Sequence, residues 1–65
     1  MFIKLTTIKD KDVYFNVNDI HFFYVDPTNP MRTVLDLSYG TEIVKGRPVD
    51  IMQIIKENKD EVRHD

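Results

Sequence analysis

Hydrophobic and polar residues alternate along most of the first 45 positions, which is the pattern of strands with one buried face. The alternating segments are Phe2–Ile8, Val13–Val17, His21–Val25, Arg32–Ser38 and Thr41–Lys45. The segment Asp26–Pro30 contains two prolines, which lack the N–H that a ladder needs, and is expected to end the third strand. The pattern therefore predicts an antiparallel meander of four to five strands over residues 2–45.

A single amphipathic helix is predicted after the strands. Pro48 marks its start, because proline suits the first helical turn. At about 100° per residue, one stripe collects Pro48, Ile51, Met52, Ile54, Ile55 and Val62. We expect the helix to span about residues 48–60, with a frayed tail at 61–65, and to cover one sheet face through Ile51, Ile54 and Ile55. The predicted fold class is α+β, with residues 1–65 as a single domain.

The run Ile20–Val25 is apolar on both of its faces. Successive side chains of a strand point to opposite sides, so Phe22 and Tyr24 share one face. Phe23 and Val25 share the other face. One helix covers only one side of a small sheet, and the second side needs another copy or a partner. We therefore predict a subunit interface that includes Phe22, Phe23, Tyr24 and Val25.

Length and composition also favour self-association. A chain of 65 residues is near the lower limit of independent folding. A core of that size rarely supplies more than about 3–5 kcal/mol without a staple. The chain has no cysteine, which excludes disulfides and thiolate metal sites. Its histidines, His21 and His64, are far apart in sequence, so no metal site and no cofactor are predicted. Assembly into a homo-oligomer is the staple that is left.

Charge and hydropathy narrow the class of protein. The formal net charge is −2, which argues against a nucleic-acid binder because those carry a basic stripe. The sequence shows neither a secretory signal nor the roughly 18 apolar residues of a membrane span. We expect a cytoplasmic protein that makes no membrane contact.

Residues with catalytic chemistry are few and scattered. Ser38 is the only serine and lacks the Gly-x-Ser-x-Gly setting of a nucleophile. His21 lies between apolar residues, and its plain interpretation is a hydrogen-bonded or solvated strand histidine. The four aspartates among the first 26 residues lie in segments typical of turns. The sequence therefore predicts a protein that is not an enzyme.

One basic cluster favours anion binding. Lys45 and Arg47 lie just before the predicted helix, where free N–H groups and the helix dipole attract phosphate or carboxylate. Arg32 adds a third positive charge, and Tyr24 or Tyr39 offers a ring for stacking on a base. These five residues are the candidate ligand site. The alternative interpretation is an ordinary strand-to-helix connection with solvated basic residues.

Several short motifs follow one another along the chain, and their order can be compared with that of known small proteins. They are Ile3-Lys4-Leu5-Thr6, Phe15-Asn16 or Val17-Asn18 with Ile20 after it, Thr33-Val34-Leu35 before Gly40, Val44, and an isoleucine-rich helix from Val49 to Ile55. In this order the chain resembles the small flagellar FlbD-type family. The resemblance implies a non-catalytic accessory protein linked to motility, and it implies no catalytic residues.

Three functions follow from these patterns. The first is a non-catalytic interaction module that self-assembles, similar to flagellar accessory proteins, with a possible protein partner. The second is a phage-type protein that sequesters a small anionic, nucleotide-like molecule between subunits. The third is a strand-rich DNA-binding domain, against which the acidic balance counts.

Overall fold

Five antiparallel strands and one α-helix form residues 1–63, the part of the chain that the computed structural model describes, with side chains described for residues 1–58. The strands are β1 (Phe2–Thr6), β2 (Asp12–Asn16), β3 (Ile20–Asp26), β4 (Asn29–Leu37) and β5 (Gly40–Lys45). A short 3-10 helix (Val17–Asp19) links β2 to β3, and helix α1 (Pro48–Arg63) follows β5. The predicted α+β fold, a meander closed by one helix, is confirmed.

The strands form two sheets rather than one. β1 pairs with β2 in the first sheet, and β3, β4 and β5 pair in that order in the second. An isolated bridge between Thr7 and Val44 connects the sheets. Next to it, the Ile8 N–H donates to the Ile43 carbonyl at 3.3 Å. The two sheets therefore adjoin where β1 ends beside β5, and both contribute to one core.

The core lies between the two sheets and the helix. Its buried apolar residues are Ile3, Leu5, Phe15, Leu35, Leu37, Val44 and Ile51. Ile51 brings the helix into this cluster, and Ile54 and Ile55 pack against it while half-buried. The prediction that α1 covers one sheet face through these three isoleucines is confirmed. The covered face is the one that carries Leu35.

Met52 departs from the predicted helix stripe, because its side chain is 57% exposed. Ile51, Ile54 and Ile55 cluster around one direction of the helix, and Met52 points about 100° away from Ile51. The stripe that is actually buried is therefore narrower than the sequence suggests. Val62, also assigned to the stripe, lies outside the residues whose side chains are described.

The connection between β3 and β4 is shorter than the sequence predicts. Only Pro27 and Thr28 lie between the strands, and Pro30 belongs to β4. The Asp26 carboxylate accepts hydrogen bonds from the Thr28 N–H at 2.9 Å and from the Thr28 hydroxyl at 2.8 Å, which closes the turn. The register shifts at the end of β3, so Pro30 lies in a bulged segment where the lack of a backbone N–H is tolerated. The prediction that this segment ends β3 is confirmed, whereas the predicted break is too long, because Asn29 and Pro30 already belong to β4.

The helix begins at Pro48, as predicted. Gly46, two residues before the helix, has a φ of 108°, a backbone conformation that residues with a Cβ rarely adopt. The helix continues to Arg63, beyond the predicted end near residue 60. Residues 64 and 65 of the predicted tail lie outside the described residues.

Candidate functional site

The most distinctive surface is the side of the three-stranded sheet that faces away from the core. On β4, Thr33, Leu35 and Leu37 are buried on the core side, and the residues between them point the other way. The strand register aligns their neighbours on β3 and β5. We call this surface the outer face, formed by Phe22, Tyr24, Arg32, Val34, Asp36, Thr41, Ile43 and Lys45.

An apolar row crosses the middle of the outer face. Tyr24 pairs with Val34 across β3 and β4, and Val34 pairs with Ile43 across β4 and β5. Val34 is only 7% exposed, although the helix lies on the opposite side of the sheet. Its two cross-strand neighbours shield it, as directly opposed side chains do in an antiparallel sheet. The row is therefore a small apolar cluster outside the main core.

Two aromatic rings extend this cluster toward one end. Phe22 and Tyr24 lie on the same side of β3 with ring centroids 6.2 Å apart and an interplanar angle of 25°. They are 57% and 47% exposed. Phe23 points the other way and is half-buried against the core. Val25 shares the side of Phe23 and is 45% exposed. The prediction that β3 is apolar on both faces is confirmed.

The ends of the outer face carry charges of opposite sign. Arg32 pairs with Lys45 across β4 and β5 at one end, whereas Asp36 pairs with Thr41 toward the other. Lys45 forms an ion pair with Asp10, which belongs to the loop between β1 and β2. Among the residues that the structure describes, Arg32 and Asp36 form no ion pair. Both are half-buried.

Arg32 also affects the carboxyl group at the end of β3. The Thr28 N–H and hydroxyl lower the pKa of Asp26, because both donate hydrogen bonds to its charged form. The positive charge of Arg32 lowers that pKa further. Asp26 therefore remains ionised to a lower pH than an ordinary aspartate.

The start of the helix supplies its own anion. The Asp50 carboxylate accepts a hydrogen bond from the Arg47 N–H at 3.1 Å. It also accepts two from the Arg47 guanidinium, each at 3.2 Å. These contacts raise the pKa of Arg47 and lower that of Asp50. Arg47 is therefore already paired with a carboxylate of its own chain, as the first turn of a helix favours.

The structure brings together three of the five candidate ligand residues. Tyr24, Arg32 and Lys45 belong to the outer face. Arg32 and Lys45 pair with each other, and Arg32 lies two residues along β4 from Val34, the cross-strand partner of Tyr24. Arg47 lies beyond the end of β5, beside Asp50. Tyr39 is 69% exposed in the turn between β4 and β5. Leu37, the last residue of β4, is about 17 Å from Arg32 along the strand, so Tyr39 is at the opposite end of the sheet.

A polar cluster of Ser38, His21 and Asp19 lies at one end of β3 and β4, and the sequence pattern did not predict it. The Ser38 hydroxyl lies 3.4 Å from Nε2 of His21 and 3.4 Å from the Asp19 carboxylate, and both contacts are at the surface. Pairing of β3 with β4 brings these residues together, which no local motif signals. In a serine nucleophile site the carboxylate orients the histidine, whereas here Asp19 binds the serine. The cluster therefore has the wrong order for a catalytic triad.

A shallow apolar hollow of about 440 Å³ lies along the side of the helix. Val49, Met52 and Ile55 contribute its apolar surface, and Gln53 and Lys56 contribute polar atoms. Val49 and Met52 are 61% and 57% exposed. The hollow is separate from the outer face, because α1 lies against the core side of the sheet.

Within the described residues, no three His, Cys, Asp or Glu side chains lie close enough together to hold a metal ion. The helix in that part of the chain is too short and too polar to cross a bilayer. Comparison with protein-family models, with curated proteins and with solved structures found no match to the chain. The resemblance to the FlbD-type family stays a prediction.

Proposed function

We propose that the protein is a small non-catalytic interaction module that self-associates through its outer face. The observation that supports this most directly is the stacked pair of Phe22 and Tyr24, about half exposed beside an apolar row. Aromatic residues are enriched where protein surfaces meet, because they bury a large area at a small cost in side-chain entropy. A sheet face with this composition suits a partner surface of the same kind.

The area involved indicates a weak dimer. With about 200 Å² for each aromatic side chain, Phe22 and Tyr24 leave roughly half of their surface in water. Burying that surface on two copies contributes about 10 kcal/mol at roughly 25 cal/mol per Å². Loss of translational and rotational freedom costs about 4–15 kcal/mol. The two terms are of similar size, so we expect association that depends on concentration.

The resemblance to the FlbD-type family extends this proposal to a cellular role. A cytoplasmic accessory protein linked to the flagellar motor needs no catalytic residues and acts through its surfaces. The hollow along α1, lined by Val49, Met52 and Ile55, is the second apolar surface available to a protein partner. The outer face would then join two copies of the chain, and α1 would stay accessible to the protein partner.

A second candidate is capture of a small anion between subunits. Tyr24 and Arg32 lie close together on the outer face and offer a ring and a positive charge. Lys45 is nearby, although Asp10 already pairs with it. A phage-type sequestering protein would hold a nucleotide-like molecule at that end of the face. DNA binding is the weakest of the three proposals, because Lys45 and Arg47 are each paired with a carboxylate.

Light scattering on matched variants tests the leading proposal. Phe22→Ser with Tyr24→Ser should remain folded and give the monomer mass at concentrations where the unchanged chain associates. Tyr14→Ser with Tyr39→Ser is the control, because Tyr14 and Tyr39 are 68% and 69% exposed and lie off the outer face. It should associate normally. Equal association of both variants would contradict the proposal.

Native mass spectrometry of protein purified from cells separates the first two candidates. A dimer without extra mass supports the interaction module. A dimer that retains a small anionic molecule, and loses it on Arg32→Ala, supports sequestration instead.

A further inference from the structure

The charge pattern of the outer face restricts how a second copy can dock on it, an inference that rests on the proposed self-association. Arg32, Val34 and Asp36 follow one another on the same side of β4. The strand thus presents a positive, an apolar and a negative position in line. Arg32 and Asp36 are four residues apart, or about 13 Å along an extended strand.

Two symmetric arrangements bring the apolar rows of two copies into contact. A two-fold axis along the row of Tyr24, Val34 and Ile43 reverses the strand direction of the second copy. Arg32 of one copy then lies opposite Asp36 of the other, and the reciprocal pair forms by symmetry. A two-fold axis parallel to the strands keeps the strand direction and brings Arg32 toward Arg32.

Electrostatics distinguishes these arrangements. Arg32 and Asp36 form no ion pair among the described residues of their own chain, so both are available to a second copy. The first arrangement forms two opposite-charge pairs, whereas the second places like charges together, which is unfavourable across an interface. Both residues are half-buried.

We infer that the occupant of the outer face is a second copy of this chain, packed face to face with its strands antiparallel. Val34 lies near the two-fold axis, and Arg32 of each copy pairs with Asp36 of the other. Phe22 and Tyr24 supply most of the newly buried surface, and the charges fix the orientation. The two sheets would then be about 10 Å apart, the usual spacing of packed sheets.

Charge reversal on separate chains tests this arrangement. Arg32→Asp alone leaves two negative positions on the face, and Asp36→Arg alone leaves two positive ones. Each variant should therefore dimerise about tenfold less well than the unchanged chain. Mixing them creates complementary faces, so heterodimers should exceed the statistical proportion in a native mass spectrum, where the two chains differ in mass. The double variant Arg32→Asp with Asp36→Arg should dimerise like the unchanged chain.

The remaining outcomes are also decisive. Variants that dimerise as well alone as mixed would overturn the antiparallel arrangement while leaving self-association intact. Preferential mixing of Arg32→Asp with the unchanged chain would indicate parallel strands and would also overturn it. An unchanged chain that never dimerises would overturn the proposed function together with this inference. Circular dichroism checks that each variant folds. If Arg32→Asp does not fold, Arg32→Glu takes its place, and Asp36→Lys takes the place of Asp36→Arg in the same way.

Discussion

Phe22 and Phe23 are adjacent in sequence and lie on opposite sides of β3. Phe23 packs half-buried against the core, whereas Phe22 is 57% exposed on the outer face. The alternation of side chains along a strand therefore places a core residue and an outer-face residue one position apart.

Substitution of these two residues should separate folding from assembly. Phe23→Asp places a charge against the core and should remove cooperative folding, at a cost above about 3 kcal/mol. Phe22→Asp should lower the thermal transition of the monomer only slightly, because the new carboxylate lies directly opposite Asp36, and should abolish association. Circular dichroism melts and light scattering on both variants provide the measurement. Loss of folding in Phe22→Asp, or an unchanged melt in Phe23→Asp, would contradict the assignment of the two faces.

The buried hydroxyl of Thr33 should matter for stability. Thr33 is fully buried, and its hydroxyl donates a hydrogen bond to the Gly46 carbonyl at 2.7 Å. Thr33→Val keeps the shape and removes the donor, which should lower the free energy of unfolding by about 1 kcal/mol. Thr41→Val, at an exposed position, should change it by less than about 0.5 kcal/mol. Urea denaturation in dilute solution compares the two, and equal effects would count against this hydrogen bond.

Position 46 should tolerate a D-amino acid but not an L-amino acid with a Cβ. Apart from the adjoining residues of the chain, no atom lies within 4 Å of the position where a Cβ would be, so a clash is not the difficulty. Its φ of 108° is the difficulty, and Gly46→Ala should cost about 1–3 kcal/mol of backbone strain. D-alanine accepts positive φ, so a chemically synthesised chain with D-alanine at this position should recover that stability. Equal stability of the two alanine forms in denaturation would show that strain is absent.

The hydrogen bonds to Asp26 should make stability depend on acid. Its pKa is lowered on folding, so its contribution is present above the unfolded value of about 3.9 and is lost as the pH falls through the lower folded value. Asp26→Asn has no carboxyl to titrate and should be less stable than the unchanged chain at neutral pH. The two should converge as the pH drops below about 4. Melting temperatures from pH 7 to 2 provide the measurement, and a constant difference would refute the role of this carboxylate.

Strand positions and the helix start follow from local signals that the sequence contains. Alternation on β4 assigns Thr33, Leu35 and Leu37 to the core, and Pro48 marks the first turn of the helix. The two-sided character of β3 follows from the same period of two. These features depend on near neighbours in the chain, which is why pattern alone predicts them.

The features that the sequence pattern does not predict depend on pairing between residues far apart in the chain. Pro30 belongs to β4 at a register shift, where the lack of a backbone N–H is tolerated. Lys45 meets Asp10 across the junction of the two sheets, and Ser38 meets His21 across β3 and β4. None of these contacts has a sequence signature, so the candidate ligand site could be listed by residue type and not by geometry.

Sedimentation equilibrium of the unchanged chain tests the central claim most directly. If a second copy covers the aromatic pair, the weight-average mass should rise with concentration from 7.7 kDa toward twice that value. The rise should occur between low micromolar and about 1 mM protein, the range of a weak dimer. A mass that stays at 7.7 kDa throughout that range would contradict the account.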